Sequence, residues 1–164
     1  MTGVLVLLEG LVMSFWLLLV CVVGIKDGPV GLVVFYEQDV RARVVELGLT
    51  TEETIRRRSL ITAAALFVPV LTVVPAMVYG LNGASGFRQG FVQMTGIYLI
   101  MGLFDRLFID GYWVGHTKAW DIPGTEDLKP YIPAKSAAGK WAGTVIGFPI
   151  LAAILAGIGR LCGM

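Results

Sequence analysis

From Val4 to Ile25 the chain reads VLVLLEGLVMSFWLLLVCVVGI, with Glu9 and Ser14 as its polar interruptions. Wound as a helix, such a run is about 33 Å long, enough to cross the ~30 Å hydrocarbon layer of a bilayer. Further apolar runs follow at about 60–81, 91–109 and 141–159. No water reaches the backbone amides inside lipid, so each run must close its own hydrogen bonds as a helix. Composition agrees: 56% of residues are hydrophobic and 15% charged, whereas about a quarter are charged in a soluble domain. The predicted fold is an all-α integral membrane protein, one transmembrane domain over residues 1–164. Four transmembrane helices at 4–25, 60–81, 91–109 and 141–159 form a four-helix bundle, with long loops at 26–59 and 110–140.

Charge sets the expected orientation. Lys26, Arg41, Arg43 and Arg56 to Arg58 lie in the first long loop and Lys118, Lys129, Lys135 and Lys140 in the second, against Arg88 and Arg160 on the opposite side. Basic residues gather on the cytoplasmic side. Both long loops are therefore expected in the cytoplasm and both termini outside, in the plasma membrane of a prokaryotic cell. The N-terminal run has no basic lead and carries Glu9 within it, which reads as an uncleaved span rather than a signal peptide. A net charge of +1 gives no global field for nucleic acid. Cys21 and Cys162 fall on opposite faces and belong to no CxxC pair, so neither a disulfide framework nor a structural zinc site is expected.

The first long loop has a pattern of its own. Tyr36, Val40, Val44 and Leu47 recur at helical spacing between Glu37, Asp39, Arg41 and Arg43, the pattern of an amphipathic helix lying on the cytoplasmic bilayer surface. Gly48 is its expected cap. Thr50 and Glu53 form a capping box for the next helix, and Arg56 to Arg58 anchor it at headgroup level. Pro69 and Pro75 predict a kink in the second span. In the fourth, Gly143, Gly147, Ala153 and Gly157 repeat a small-residue spacing that favours close helix contact, within the chain or in a homo-oligomer.

Most of the remaining chemistry is concentrated in DRLFIDGYWVGHTKAWDIPGTEDLKPYI, residues 105–132. His116, the one imidazole of the chain, is the candidate general acid or base, with Asp105 and Asp121 as candidate catalytic carboxylates. Arg106 and Lys118 suit an anionic headgroup. Asp110, Glu126 and Asp127 offer oxygen ligands, and Trp113 and Trp120 suit the headgroup layer. Carboxylate oxygens of this kind also suit a hard cation, but no spacing specifies a metal site, and no cofactor is named by the sequence. On an α-helix Asp105, Ile109, Tyr112 and His116 would share a face, while Arg106 and Asp110 would pair. Pro123-Gly124 predicts a turn, Thr125 a cap over Glu126 and Asp127, and Pro130 with Pro133 an ordered loop.

Motifs for nucleotide phosphates, zinc proteases and di-iron bundles are absent, and Ser136 lacks the setting of a hydrolase nucleophile. On the outer side, Glu9 is expected to pair with Arg160 or Arg88. The expected function is binding or modification of an amphiphilic, lipid-like small molecule or its headgroup, with the lipid bilayer as the other partner. The competing expectations are a plain interfacial belt, and a non-catalytic membrane subunit or scaffold assembled through the glycine-spaced fourth helix.

Overall fold

The structure, a computed structural model, describes residues 2–164. Helix α1 covers Thr2–Gly24, and a 3₁₀ segment, Pro29–Phe35, leads to α2, Gln38–Glu46. Three long helices follow: α3 at Glu52–Leu81, α4 at Gly86–Val114 and α5 at Ala134–Leu161. Four helices, α1, α3, α4 and α5, are long and apolar enough to cross a membrane. The described residues contain no strand.

On the side of the two long loops, α3, α4 and α5 extend well past their apolar runs. The backbone ladder does not require apolar side chains, and local caps set where it ends. At the start of α3, Thr51 rather than Thr50 is the cap: its hydroxyl accepts from the Thr54 amide at 3.2 Å, and Glu52 and Glu53 lie at the positive end of the helix. No capping box with Glu53 forms. At the end of α2, Gly48 takes φ 69°. The Leu49 amide then reaches the Val44 carbonyl at 3.1 Å and the Gly48 amide that of Val45 at 2.9 Å, the glycine-closed ending expected of this position.

Helix α4 is the hub, packed along both α1 and α5, with α3 held more loosely. Small residues let these helices approach. Gly10 lies against Ile100, Gly96 against Val6, and Gly102 against Thr144 and Phe148. Val74, Val78, Met94, Ile97, Tyr98 and Ala156 fill the centre. Pro69 cannot donate to the Ala65 carbonyl one turn back; Trp16 of α1 supplies that bond through its indole N–H at 2.9 Å. Just after Pro75 the helix widens into a π turn, Ala76–Leu81.

One expectation is narrowed here, to contact outside the chain, and another changes. The inner seam of α5 is made by Ala152, Ala156 and Gly159, whereas a Cβ on Gly143, Gly147 or Gly157 would meet nothing. That glycine stripe faces away from the rest of the chain. Glu9, 8% exposed, takes its hydrogen bond from the Asn82 amide at 2.9 Å, and Asn82 also reaches Gln93 at 2.9 Å. Arg88 and Arg160 stay exposed and do not pair with Glu9. An uncharged amide enters a half-dry site at lower desolvation cost than a guanidinium.

Candidate functional site

The site is built on the last ten residues of α4, Asp105–Val114, which wind as a π-helix. Gly111 and Gly115 sit directly over the carbonyls of Arg106 and Asp110, where a side chain would crowd the widened coil. Arg106 hydrogen-bonds Asp105, and its Nη1 lies 2.7 Å from Asp110 Oδ2. Lys140 of α5 donates to the other Asp110 oxygen at 2.9 Å. The Arg106 side chain is 9% exposed, so these charges are paired because burial would otherwise be prohibitive. The widened winding also alters the expected faces. Phe108, Tyr112 and His116 stack in sequence at 6.0 and 6.4 Å on an exposed flank, and Ile109 turns inward to the core without Tyr112 or His116. His116 Nδ1 is 2.7 Å from the Gly111 carbonyl oxygen.

The loop after α4 forms a roof, and α2 holds it. Val40 and Val44, 1% and 0% exposed, pack with Tyr36, Trp120, Ile122 and Tyr131. The apolar face of α2 is therefore covered by the loop, which corrects the expectation that it rests on the bilayer. The Tyr36 hydroxyl donates to the Trp120 carbonyl at 2.6 Å, and its ring meets Tyr131 edge-on at 5.0 Å. Burial pushes the Tyr36 phenol up, with Tyr131 and Asp121 adding to it, so it remains a donor. Thr125 does not cap the turn Glu126–Leu128 with its side chain. Its buried hydroxyl donates to the Ile122 carbonyl at 2.8 Å and lies 2.9 Å from the Tyr131 hydroxyl. Full burial of each valine is worth about 1.5–3 kcal/mol, whereas the exposed Arg43–Asp127 pair at 3.2 Å adds about 0–1 kcal/mol. The apolar seam holds the roof, and the ion pair adds direction.

Three cavities succeed one another beneath this roof. The first, about 570 Å³, lies between the roof and the ends of α4 and α5, with Arg106, Asp110, Asp121, Lys129, Tyr131 and Trp141 on its walls. The second, about 220 Å³, shares Arg106, Asp110, Val114, Tyr131 and Ile132 with it and adds Cys21, Asp105, Trp120 and Lys140. The third, about 250 Å³, shares Leu17, Leu66 and Asp105 with the second and continues between the helices to Met13, Phe67 and Phe148. The wall of the first mixes charged and apolar groups, the second has a smaller polar share, and the third is almost wholly apolar. Three buried donors of residues that line the second cavity, Arg106 Nε, Arg106 Nη1 and Trp120 Nε1, have no hydrogen-bond acceptor, although Nη1 keeps its ion-pair contact with Asp110.

Of the residues singled out by sequence, Asp105, Arg106, Asp110, Trp120 and Asp121 line these cavities. Trp113 props the Trp120 ring edge-on at 5.3 Å. His116 and Lys118 are exposed and on no wall. Glu126 accepts from the Gly124 amide at 2.9 Å, and Asp127 is engaged by Arg43. The chain matches no family model, no curated protein and no solved structure. Lys129, Lys140, Tyr36 and Tyr131 belong to the site without having been candidates in the sequence, where the lysines serve equally well as orientation charges. Lys129 bonds Asp121 at 2.6 Å, and that carboxylate raises the lysine above its ordinary pKa.

Proposed function

We propose that this is a membrane protein that binds an amphiphilic, lipid-like molecule, its head under the roof and its chain in the cavities between the helices. In this reading the roof and both long loops are cytoplasmic and the termini are outside. The graded series of cavities carries the proposal: the polar share of the wall falls from the loop end to the bundle end, and the first has a volume in the usual range of small-molecule sites. Retention is better supported than turnover. His116, best suited to proton transfer at neutral pH, is on none of the cavity walls, while Asp105 and Asp121 are already engaged by Arg106 and Lys129.

The test is mass spectrometry of lipids extracted from the purified protein. A species present in stoichiometric amount is expected, lost in Leu66→Trp, whose larger ring would crowd the wall that the second and third cavities share, and kept in His116→Ala. Equal retention in wild type and Leu66→Trp, with unchanged melting, would remove the reading. The scaffold alternative draws on the outward glycines of α5. If they meet another chain, Gly143→Ile should reduce the oligomer size in light scattering without lowering the melting temperature, and an unaltered size would count against it.

A further inference from the structure

The second cavity constrains the kind of head it accepts, given the amphiphile reading above. Four charged residues are on its wall, two of each sign: Arg106 and Lys140 against Asp105 and Asp110. They already neutralise one another through Arg106–Asp105, Arg106–Asp110 at 2.7 Å and Lys140–Asp110 at 2.9 Å. A bare anion brought here would find no free countercharge and would break an existing pair, leaving a buried carboxylate uncompensated. The unmet hydrogen-bonding capacity calls for acceptor oxygens, which a neutral carbonyl supplies without adding charge. Arg106 Nε, Arg106 Nη1 and Trp120 Nε1 are all donors, and an indole N–H or guanidinium N–H can only be met by an acceptor. The rest of the wall is largely aromatic and aliphatic, with Phe35, Tyr36 and Tyr131, and with Leu17 and Leu66, which it shares with the third cavity.

We infer that the occupant is an uncharged amphiphile whose head presents carbonyl oxygens to Arg106 and Trp120 and whose chain continues past Leu17 and Leu66. Two membrane compounds share that chemistry, an isoprenoid quinone and a glycerol ester. Phosphorylated and carboxylated lipids do not.

The experiment is a melting series on the full chain in a neutral detergent, stripped of lipid, with three probes: a decyl-substituted benzoquinone, dioctanoylglycerol and dioctanoyl phosphatidic acid. One of the two uncharged probes is expected to raise the melting temperature in a saturable manner, and which of them does so separates ring from ester. Trp120→Phe, which keeps an aromatic ring and removes the N–H, should weaken that probe roughly tenfold. If this variant melts early, the comparison moves to the ligand: the carbonyl-free counterpart of the probe that binds, the decyl dimethoxybenzene for the quinone or the dioctyl glycerol ether for the ester, should bind more weakly to the wild type by a similar factor. Stabilisation by phosphatidic acid alone, or by all three probes alike, overturns the uncharged head and leaves the amphiphile reading standing. No effect from any probe, with a stoichiometric lipid still extracted from the native preparation, also overturns it. No effect and no extracted lipid removes the amphiphile reading itself.

Discussion

Tyr36 joins the two long loops through one hydroxyl, and its loss has two separable consequences. Tyr36→Phe removes the bond to the Trp120 carbonyl, and a buried acceptor left unmet costs about 1–3 kcal/mol. Thermal melting at neutral pH should register that loss. The pH dependence has a definite sign. The folded phenol lies above its ordinary value because burial disfavours the phenolate. Its contribution is complete below the unfolded pKa of about 10 and is lost as pH rises from there towards the folded value. The alkaline fall in melting temperature should therefore be shallower in Tyr36→Phe than in wild type. An equally steep fall would show that Tyr36 does not titrate with unfolding. At this scale the sequence is a poor guide. Tyr36 reads as one apolar position in a helical pattern, and only its contact with Trp120 and Tyr131 makes it a hinge pin of the roof.

At the scale of elements, α2 and the 3₁₀ segment before it make the clearest case. Val44→Ala should cost roughly 1–3 kcal/mol and loosen the roof, while Arg43→Ala should cost less than about 1 kcal/mol, although Arg43 makes the more visible contacts. The reverse order in a melting comparison would mean that the roof is held electrostatically. Gly31 is a second weak point. A Cβ there would overlap the Gly24 carbonyl oxygen at the end of α1, so Gly31→Ala should push the 3₁₀ segment away from α1 and reduce both stability and lipid retention. A variant that melted and retained lipid like the wild type would show that the approach is not required. The amphipathic pattern of 36–47 correctly marks a helix with one apolar face. It does not say whether bilayer or loop covers that face, because both are apolar partners.

Taken whole, the molecule has a polar roof at one end of an apolar bundle and a small amide and carboxylate group at the other. The proposed orientation can be checked with the chain's own thiols. Cys162 is exposed at the end opposite the roof and Cys21 is buried. An impermeant thiol reagent on intact cells should label the wild type and not Cys162→Ser, and Ser136→Cys in that background should stay unlabelled until the cells are opened. Labelling of Ser136→Cys in intact cells would invert the map and place the site outside.

What the sequence determines by itself is the number of long apolar helices and the stretch in which polar chemistry collects. Hydrophobic run length and residue type are local properties, and they survive any arrangement of the helices. The tertiary structure decides which polar residues meet. Lys140 arrives from α5 and Tyr36 from the first long loop, while the π winding of 105–114 sends Asp105 and Arg106 towards the cavities and His116 to the flank. None of this is periodic in the chain, because a widened turn and a contact between distant segments depend on packing that no local pattern encodes.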